Sequence, residues 1–323
     1  MKILLVSSSS GGHIYPCLAV GKSLEARGHT VGYLGIRGQM EESLLPDAVL
    51  LDVPNSFRKS LRVSQIRRIQ KEKGTIRETI RQYDAIVAFG GFITLLTTLS
   101  AIGTKKPVYL HEQNVVLGDA IRLSYPFCRR LFLSFDNELT RLKKAKYAFN
   151  PSAARILKRT EVDCVRPKVM FVFGSLSSSS CLKAVRKFLE ETTLTNEFLV
   201  VTGKNAVIFE GFHRPGLVLK ERIDMREELK RYDLVFTRAG ATTLAELLQS
   251  GVEIVAIPSP YVKNHHQEKN ARFLERKGYL SVIEEKNLTT ETIEKAIVGL
   301  KRKNTFMSDV DPLETIAEAL END

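Results

Sequence analysis

The sequence predicts an α/β protein built as two successive halves, each a parallel sheet covered by helices. Three observations predict it. Short apolar runs alternate with longer amphipathic ones along the chain, the pattern of parallel strands joined by crossover helices. The pattern breaks at a polar seam flanked by prolines, from Asn150-Pro151 to Arg166-Pro167, and then restarts. The length of 323 residues is long for one core and favours two domains.

Taken in order, Lys2–Val6 reads as a strand, followed by a Ser/Gly loop and a helix from about Ile14 to Arg27. Val31–Leu34 and Val49–Val53 read as further strands. Leu61 to Tyr83 carries Ile66, Ile69, Ile76 and Ile80 at helical spacing with basic residues between them. Ala85–Phe89 and Val108–Leu110 are strands. After the seam come a strand (Val169–Phe173), a loop (Gly174 to Ser180) and a helix (Cys181–Leu189). Phe198–Val201, Leu234–Phe236 and Ile254–Ile257 are strands. Helices are expected over Thr243–Gln249, Gln267–Lys277 and Thr290–Leu300. Both halves thus open with strand, small-residue loop and helix. Ligands of such open sheets bind beyond the carboxyl ends of the strands, and two such halves form a cleft.

Composition narrows the function. The hydrophobic fraction of 43% and charged fraction of 26% suit a globular protein. The net charge is +11, and residues 1–150 hold 22 Lys+Arg against 12 Asp+Glu. The basic excess therefore lies in the first half, which suits an anionic partner such as nucleic acid or an anionic membrane surface. Solvated helix faces are the plainer account. Cys17, Cys128, Cys164 and Cys181 form no C-x-x-C pair and read as reduced thiols in a reducing compartment. The run Ile3–Val6 is too short for a secretory core. Ala85–Thr104 lacks charge, but Gly90-Gly91 divides it into strand, turn and buried helix, so no membrane span is expected.

Five loops carry candidate chemistry. Ser7-Ser8-Ser9-Ser10-Gly11-Gly12-His13 joins a strand to a helix, where free N–H groups and small side chains admit an anion. His13 can be a base or a helix cap. The dinucleotide and P-loop patterns are absent. Gly90-Gly91 can cradle phosphate or merely allow a tight turn. His111-Glu112-Gln113-Asn114 clusters four polar groups at a strand end, costly unless bonded or functional; Asn114 can offer a donor and an acceptor to a sugar hydroxyl. In Thr237-Arg238-Ala239-Gly240-Ala241-Thr242-Thr243-Leu244-Ala245-Glu246, a strand runs into a small-residue turn and a helix, and the N–H groups of 241–243 would face a ligand phosphate. There Glu246 can accept from a ribose diol or serve a capping box, and Arg238 can meet pyrophosphate or an acidic neighbour. In the last loop, adjacent His265 and His266 make a poor metal pair, whereas Gln267 and Asn270 can share a helix face toward hydroxyls.

Four motifs stand in order: G-G-H-x-x-P at Gly11–Pro16, H-E-Q-N at His111–Asn114, R-x-G-A-x-T-x-x-E at Arg238–Glu246 and H-Q-x-x-N-A at His266–Ala271. Over Lys2 to Gly278 the chain resembles the MurG family of N-acetylglucosaminyltransferases. The resemblance implies a GT-B fold, two Rossmann-like domains with parallel sheets facing a central cleft. It implies an acceptor and membrane-associating domain at 1–150, a UDP-GlcNAc domain at 151–309, and a helix in 310–323 packing back on the first. It implies inverting transfer of GlcNAc from UDP-GlcNAc to undecaprenyl-pyrophosphoryl-MurNAc-pentapeptide, lipid I to lipid II. Glu246 would hold the ribose, with Arg238 and Ser175 near the pyrophosphate. Ala241, Thr242, His266 and Gln267 would serve the donor sugar or phosphates, and Asn114 would reach the GlcNAc. Ser10, Gly11, Gly12, Gly90 and Gly91 would receive the acceptor pyrophosphate, with His13 as base.

The leaving pyrophosphate is expected to be neutralised by helix starts, Arg238 and hydroxyls, so no metal and no cofactor are expected. The family's glycine-rich loops carry serines here, at Ser8–Ser10 and Ser175–Ser178, and the arginine of its N-P-x-R element is displaced to Arg155. Arg58, Lys59, Arg62, Arg67, Arg68, Lys71 and Lys73 are expected to ring an apolar patch of Leu61, Ile66, Ile69 and Ile102. That gives the basic half an anionic leaflet as partner, so the protein is expected in the cytoplasm, peripheral on the inner face of the cell membrane. No nucleic-acid partner is expected, since no recognised motif is present. The rival readings are another GT-B enzyme (a glycolipid synthase or a UDP-GlcNAc 2-epimerase) and a non-catalytic basic binding protein.

Overall fold

A computed structural model describes residues 1–8, 10–45, 47–54, 63–159, 161–174 and 178–323, with the backbone alone at 63–68 and 263. Ser175, and Arg58, Lys59, Leu61 and Arg62 of the basic patch, lie outside the described residues, as do the side chains of Ile66, Arg67 and Arg68. The chain divides into two compact units, Met1–Ala154 with Asp309–Asp323, and Arg155–Ser308.

In the first unit the order is β1 (Lys2–Val6), α1 (Gly11–Ala26), β2 (Thr30–Ile36), α2 (Met40–Leu44), β3 (Val49–Leu51), α3 (Val63–Arg81), β4 (Ala85–Ala88), α4 (Phe92–Ala101), β5 (Val108–Glu112), α5 (Asp119–Ser124), β6 (Arg130–Leu133) and β7 (Ala145–Tyr147). The strands form one parallel sheet in the order β3-β2-β1-β4-β5-β6-β7. The two-residue period of β1 sends Leu4 and Val6 into one core and Ile3 and Leu5 into the other. Such double burial explains why the central strands read as unbroken apolar runs.

The second unit runs β8 (Val169–Val172), α6 (Ser179–Glu191), β9 (Phe198–Val201), β10 (Leu217–Lys220), α7 (Met225–Glu228), β11 (Leu234–Thr237), α8 (Ala241–Ser250), β12 (Glu253–Ala256), α9 (His266–Arg276), β13 (Ser281–Val282) and α10 (Thr290–Val298). Its parallel sheet has the order β10-β9-β8-β11-β12-β13. Phe171, Phe188, Phe198 and Phe236 fill one face, with Phe171 and Phe236 stacked at 4.9 Å.

The last helix, α11 (Pro312–Asn322), belongs to the first unit. Pro312 opens it and Asp311 caps it, accepting from the N–H groups of Leu313 and Glu314. Ile316, Ala317, Ala319 and Leu320 pack beside Val20 and Leu24 of α1. Around this contact Arg27 pairs with Glu314, His29 lies 2.8 Å from Glu321, and Arg130 lies 2.6 Å from Asp323.

Several elements differ from the sequence reading. Helix α1 starts at Gly11, three residues early, because Gly-Gly-His forms the first turn instead of a loop. Helix α8 likewise starts at Ala241. The short elements α2, α5, α7, β6, β7, β10 and β13 had no expectation attached; β7, β10 and β13 are edge strands, and β7 and β13 are short with little apolar sequence. Ile69 is corrected. It is partly buried and packs with Ile76 and Ile80 against the core instead of standing fully at the surface, because that spacing puts the three on one stripe of α3. The uncharged stretch at 85–104 forms β4, a turn and α4, and no helix among the described residues is long and apolar enough to cross a membrane. Cys17, Cys128 and Cys181 are buried free thiols and Cys164 is partly exposed.

Candidate active site

In both sheets the strand order reverses beside the first strand, between β1 and β4 and between β8 and β11. Connections leave in opposite directions at such a point, so a crevice opens at the strands' carboxyl ends. The sequence places its small-residue loops at these two reversals.

In the first unit the two loops are in contact. Gly90 and Gly91 both have left-handed φ, +106° and +76°, which favours glycine. A Cβ on Gly91 would lie 1.5 Å from Ser8 Oγ, and one on Gly90 2.8 Å from His13 Nε2. The turn is therefore glycine because the serine loop presses on it. Thr94 locks it, accepting from the Gly90 N–H at 3.0 Å and donating to the Gly90 carbonyl at 2.7 Å. Helices α1 and α4 both start here, and neither has a side-chain cap or an acidic residue in its first turn. Their positive ends suit an anion.

His13 sits on this floor. Its Nδ1 is 3.1 Å from the Ser8 carbonyl and 2.9 Å from Ser10 Oγ. A carbonyl oxygen only accepts, so Nδ1 carries the proton and the lone pair of the neutral ring is on Nε2. Ser10, the N-terminal cap position of α1, turns its hydroxyl to the imidazole instead of to the helix. The Ser8 backbone and the Ser10 hydroxyl thus hold the histidine.

The H-E-Q-N group separates into scaffold and surface. His111, Glu112 and Gln113 are buried at the end of β5. The Gln113 amide donates to the Phe89 carbonyl at 2.9 Å and lies 3.1 Å from His111 Nδ1, while His111 Nε2 faces the Phe149 carbonyl at 3.4 Å. Burial pushes the His111 imidazole down to about 4, so it stays neutral. Phe149 holds a left-handed φ of +61°, a strained geometry for an aromatic residue that its neighbours must impose. Burial also pushes the Glu112 carboxyl up, against the N–H groups of Asn114 and Gly118 that donate to it at 2.9 and 2.7 Å. Asn114, partly exposed, is the member at the surface, and its amide donates to Glu112 at 3.0 Å. Thr94 is an organiser that sequence reasoning missed, and Glu112 was noted only as one of the polar cluster, with no role of its own. The signal for Glu112 was an acidic side chain inside a strand otherwise buried on both faces.

In the second unit, α8 starts at the reversal with Gly240 at its cap position, no side-chain cap and no acid in the first turn. Ala241 and Thr242 lie in that turn and are buried. Glu246 is the sixth residue of α8, so it cannot be the third-position acid of a capping box; that alternative is excluded. It is partly buried, and burial pushes its carboxyl up to about 7, with nearby Arg226 lowering it and Asp224 raising it.

Arg238 is nearly buried and takes the acidic-neighbour alternative. Its guanidinium donates to the Ile257 carbonyl at 3.2 Å and to Ser178 Oγ at 2.6 Å, and lies 2.8 Å from Glu285. Ser178 in turn caps α6. Gln267 accepts from the Ser259 N–H at 2.9 Å, and Asn270, fully buried, donates to the Ala239 carbonyl at 3.3 Å. The expectation that Asn270 meets hydroxyls is corrected: it ties α9 to the turn before α8. His265 and Asn264 hold left-handed φ values of 49° and 59°, and His266 opens α9, partly exposed. Among the described residues no group of three or more His, Cys, Asp or Glu could hold a metal.

Two doubly wound units, each with an uncapped helix start at its strand reversal, place the chain in the GT-B class of glycosyltransferase folds. Residues 3–133 match the glycosyltransferase family 28 N-terminal domain and residues 168–319 its C-terminal domain. The chain belongs to glycosyltransferase family 28. It is 27% identical, over 92% of its length and 90% of the relative's, to the UDP-N-acetylglucosamine–N-acetylmuramyl-(pentapeptide) pyrophosphoryl-undecaprenol N-acetylglucosamine transferase of Thermoanaerobacter sp. (strain X514). The crystal structure of Acinetobacter baumannii MurG superposes with a TM-score of 0.83 at 22% identity, covering 100% of both chains. A putative UDP-N-acetylglucosamine 2-epimerase from Listeria monocytogenes superposes at 0.64 with 15% identity, over 99% of this chain and 95% of the other. The fold therefore hosts more than one reaction, and the site must choose between them.

Proposed function

We propose that the chain transfers GlcNAc from UDP-GlcNAc to undecaprenyl-pyrophosphoryl-MurNAc-pentapeptide with inversion, making lipid II from lipid I. The observation that carries this reading is His13. Its Nδ1 is tied back to Ser8 and Ser10, and its Nε2 lies against Gly90 between two uncapped helix starts. That is a base beside an anion cradle, which suits an acceptor hydroxyl carried on a pyrophosphate. Whole-length similarity to a transferase named for this reaction supports it. In the proposed step His13 Nε2 takes the proton of the muramyl hydroxyl. The oxygen attacks the anomeric carbon as the bond to the β-phosphate oxygen breaks, and UDP leaves as the anion. The starts of α6 and α8 and the Arg238 guanidinium meet its charge, while Glu246 accepts from the ribose diol. Asn114, Ala241, Thr242, His266 and Gln267 serve the donor, as does Ser175. Ser10, Gly11, Gly12, Gly90 and Gly91 receive the acceptor pyrophosphate.

The test is product analysis with UDP-GlcNAc, with and without lipid I. A β-linked disaccharide on the lipid, formed only when both substrates are present, is the expected result. Release of an epimerised UDP-sugar without acceptor would place the chain with the epimerases.

The finer partner and place, an anionic leaflet at the cytoplasmic face, rest on a surface of the first unit. Helix α4 packs between α3 and α5. Leu99 and Ile102 of the α4 end, with Leu123 and Phe127 around α5, are 43–50% exposed, and Lys71, Lys73, Lys105 and Arg122 are exposed on the same helical layer or its loops. Each basic group near an anionic leaflet contributes about 1 kcal/mol, and the apolar side chains add insertion. Pelleting with phosphatidylglycerol vesicles is expected to fall steeply with salt, and Leu123→Glu with Phe127→Glu to abolish it without changing UDP affinity. Salt-independent pelleting, or full pelleting by the double variant, would remove this surface from the account.

A further inference from the structure

The anion-binding groups of the second unit are already engaged by a carboxylate of the chain. Glu285, in the short turn after β13, puts Oε2 2.8 Å from the Arg238 guanidinium, and its Oε1 accepts from the hydroxyl of Ser180 in the first turn of α6. Ser178, the cap of α6, also takes a hydrogen bond from Arg238. The Glu285 side chain therefore bridges a cationic side chain and a helix start, the two kinds of group that bind a phosphate. Its Oε2 has the ion pair but no aligned hydrogen bond among the described residues, so charge alone holds that oxygen. A diphosphate brings more charge and more acceptor atoms than one carboxylate to the same guanidinium.

We propose that Glu285 is a resident counter-anion, displaced from Arg238 when the donor pyrophosphate binds and returning when UDP leaves. The inference rests on the reading of this unit as the nucleotide-sugar half. It follows from two costs. A nearly buried guanidinium is strongly destabilising without a partner, so the empty site needs an internal anion. Two anions cannot share one cation cheaply, so binding must push that anion aside. The residue thereby lowers nucleotide affinity and favours release of a product more highly charged than the donor.

The test is calorimetric titration of the full chain with UDP and with uridine. Glu285→Gln is expected to bind UDP about ten-fold tighter through loss of like-charge opposition. Uridine, which has no phosphate, is expected to bind unchanged. The same variant is expected to melt lower without ligand and to gain more from UDP than the unaltered protein does. Glu284→Gln, whose carboxylate is half exposed and pairs with Arg272 and Lys286, is the control and is expected to change neither affinity. Glu285→Asp keeps the charge but shortens its reach, and is expected to bind UDP with intermediate strength; it decides the matter if Glu285→Gln does not fold. Equal or weaker UDP binding by the folded variants overturns the displacement and makes the pair a loop scaffold. An unaltered protein that fails to bind UDP overturns the donor reading, and this inference with it.

Discussion

Replacing His13 by alanine is expected to lower turnover about a hundred- to ten-thousand-fold, the range of a lost general base, with UDP affinity unchanged. The expectation follows from the direction of its hydrogen bonds. With Nδ1 donating to the Ser8 carbonyl, the ring presents the basic Nε2 beside Gly90. A helix-capping role alone would predict a stability loss and little change in chemistry. His13→Gln separates the two, since it keeps bulk and hydrogen bonding but cannot accept the proton. Both variants are expected to lose kcat with little change in the acceptor KM. Near-normal kcat in His13→Gln, with a folded protein, would end the assignment.

At Glu246 the expected effect runs in opposite directions for binding and stability. Burial holds its carboxyl up at about 7, so it is largely protonated at pH 6 and largely ionised at pH 8. Only the ionised form accepts from both ribose hydroxyls. UDP affinity is therefore expected to rise as pH climbs through 7, with a proton released on binding near that pH. Glu246→Gln is expected to flatten this profile and weaken UDP about ten- to a hundred-fold, the scale of a hydrogen bond to a charged group. For stability the sign reverses. An acid whose folded value lies above its unfolded value costs stability as pH rises from about 4.5 through 7. The full shift corresponds to at most about 3 kcal/mol. Glu246→Gln is thus expected to melt higher than the unaltered chain at pH 8 and much the same at pH 4. Calorimetric titration and thermal melts at pH 6, 7 and 8 measure both. A pH-independent UDP affinity in the unaltered protein would mean that Glu246 does not hold the ribose.

Much of the fold was legible because it is local. Strands such as Ala85–Ala88 are buried on both faces, so they stand out as apolar runs whatever surrounds them. The turn Gly90-Gly91 stood out because positive φ favours glycine there, and the segments at Ser7–Gly12 and Thr237–Thr243 because small residues gather where a strand gives way to a helix. Glycines inside a helix's first turn misled, as in α1, where the N–H groups have no intrahelical partner and low propensity costs little.

By itself, then, the sequence determined the alternation, the seam, the turn positions and the side chains set beside them, because each depends on a few consecutive residues. Only the tertiary structure decided which partner each buried polar group takes. Asn270 bonds to Ala239, Gln267 to Ser259, Arg238 to Glu285 and His13 to Ser8 and Ser10. A buried polar group must find its partner wherever the fold brings one, and those partners come from strands and turns far along the chain that no local pattern connects.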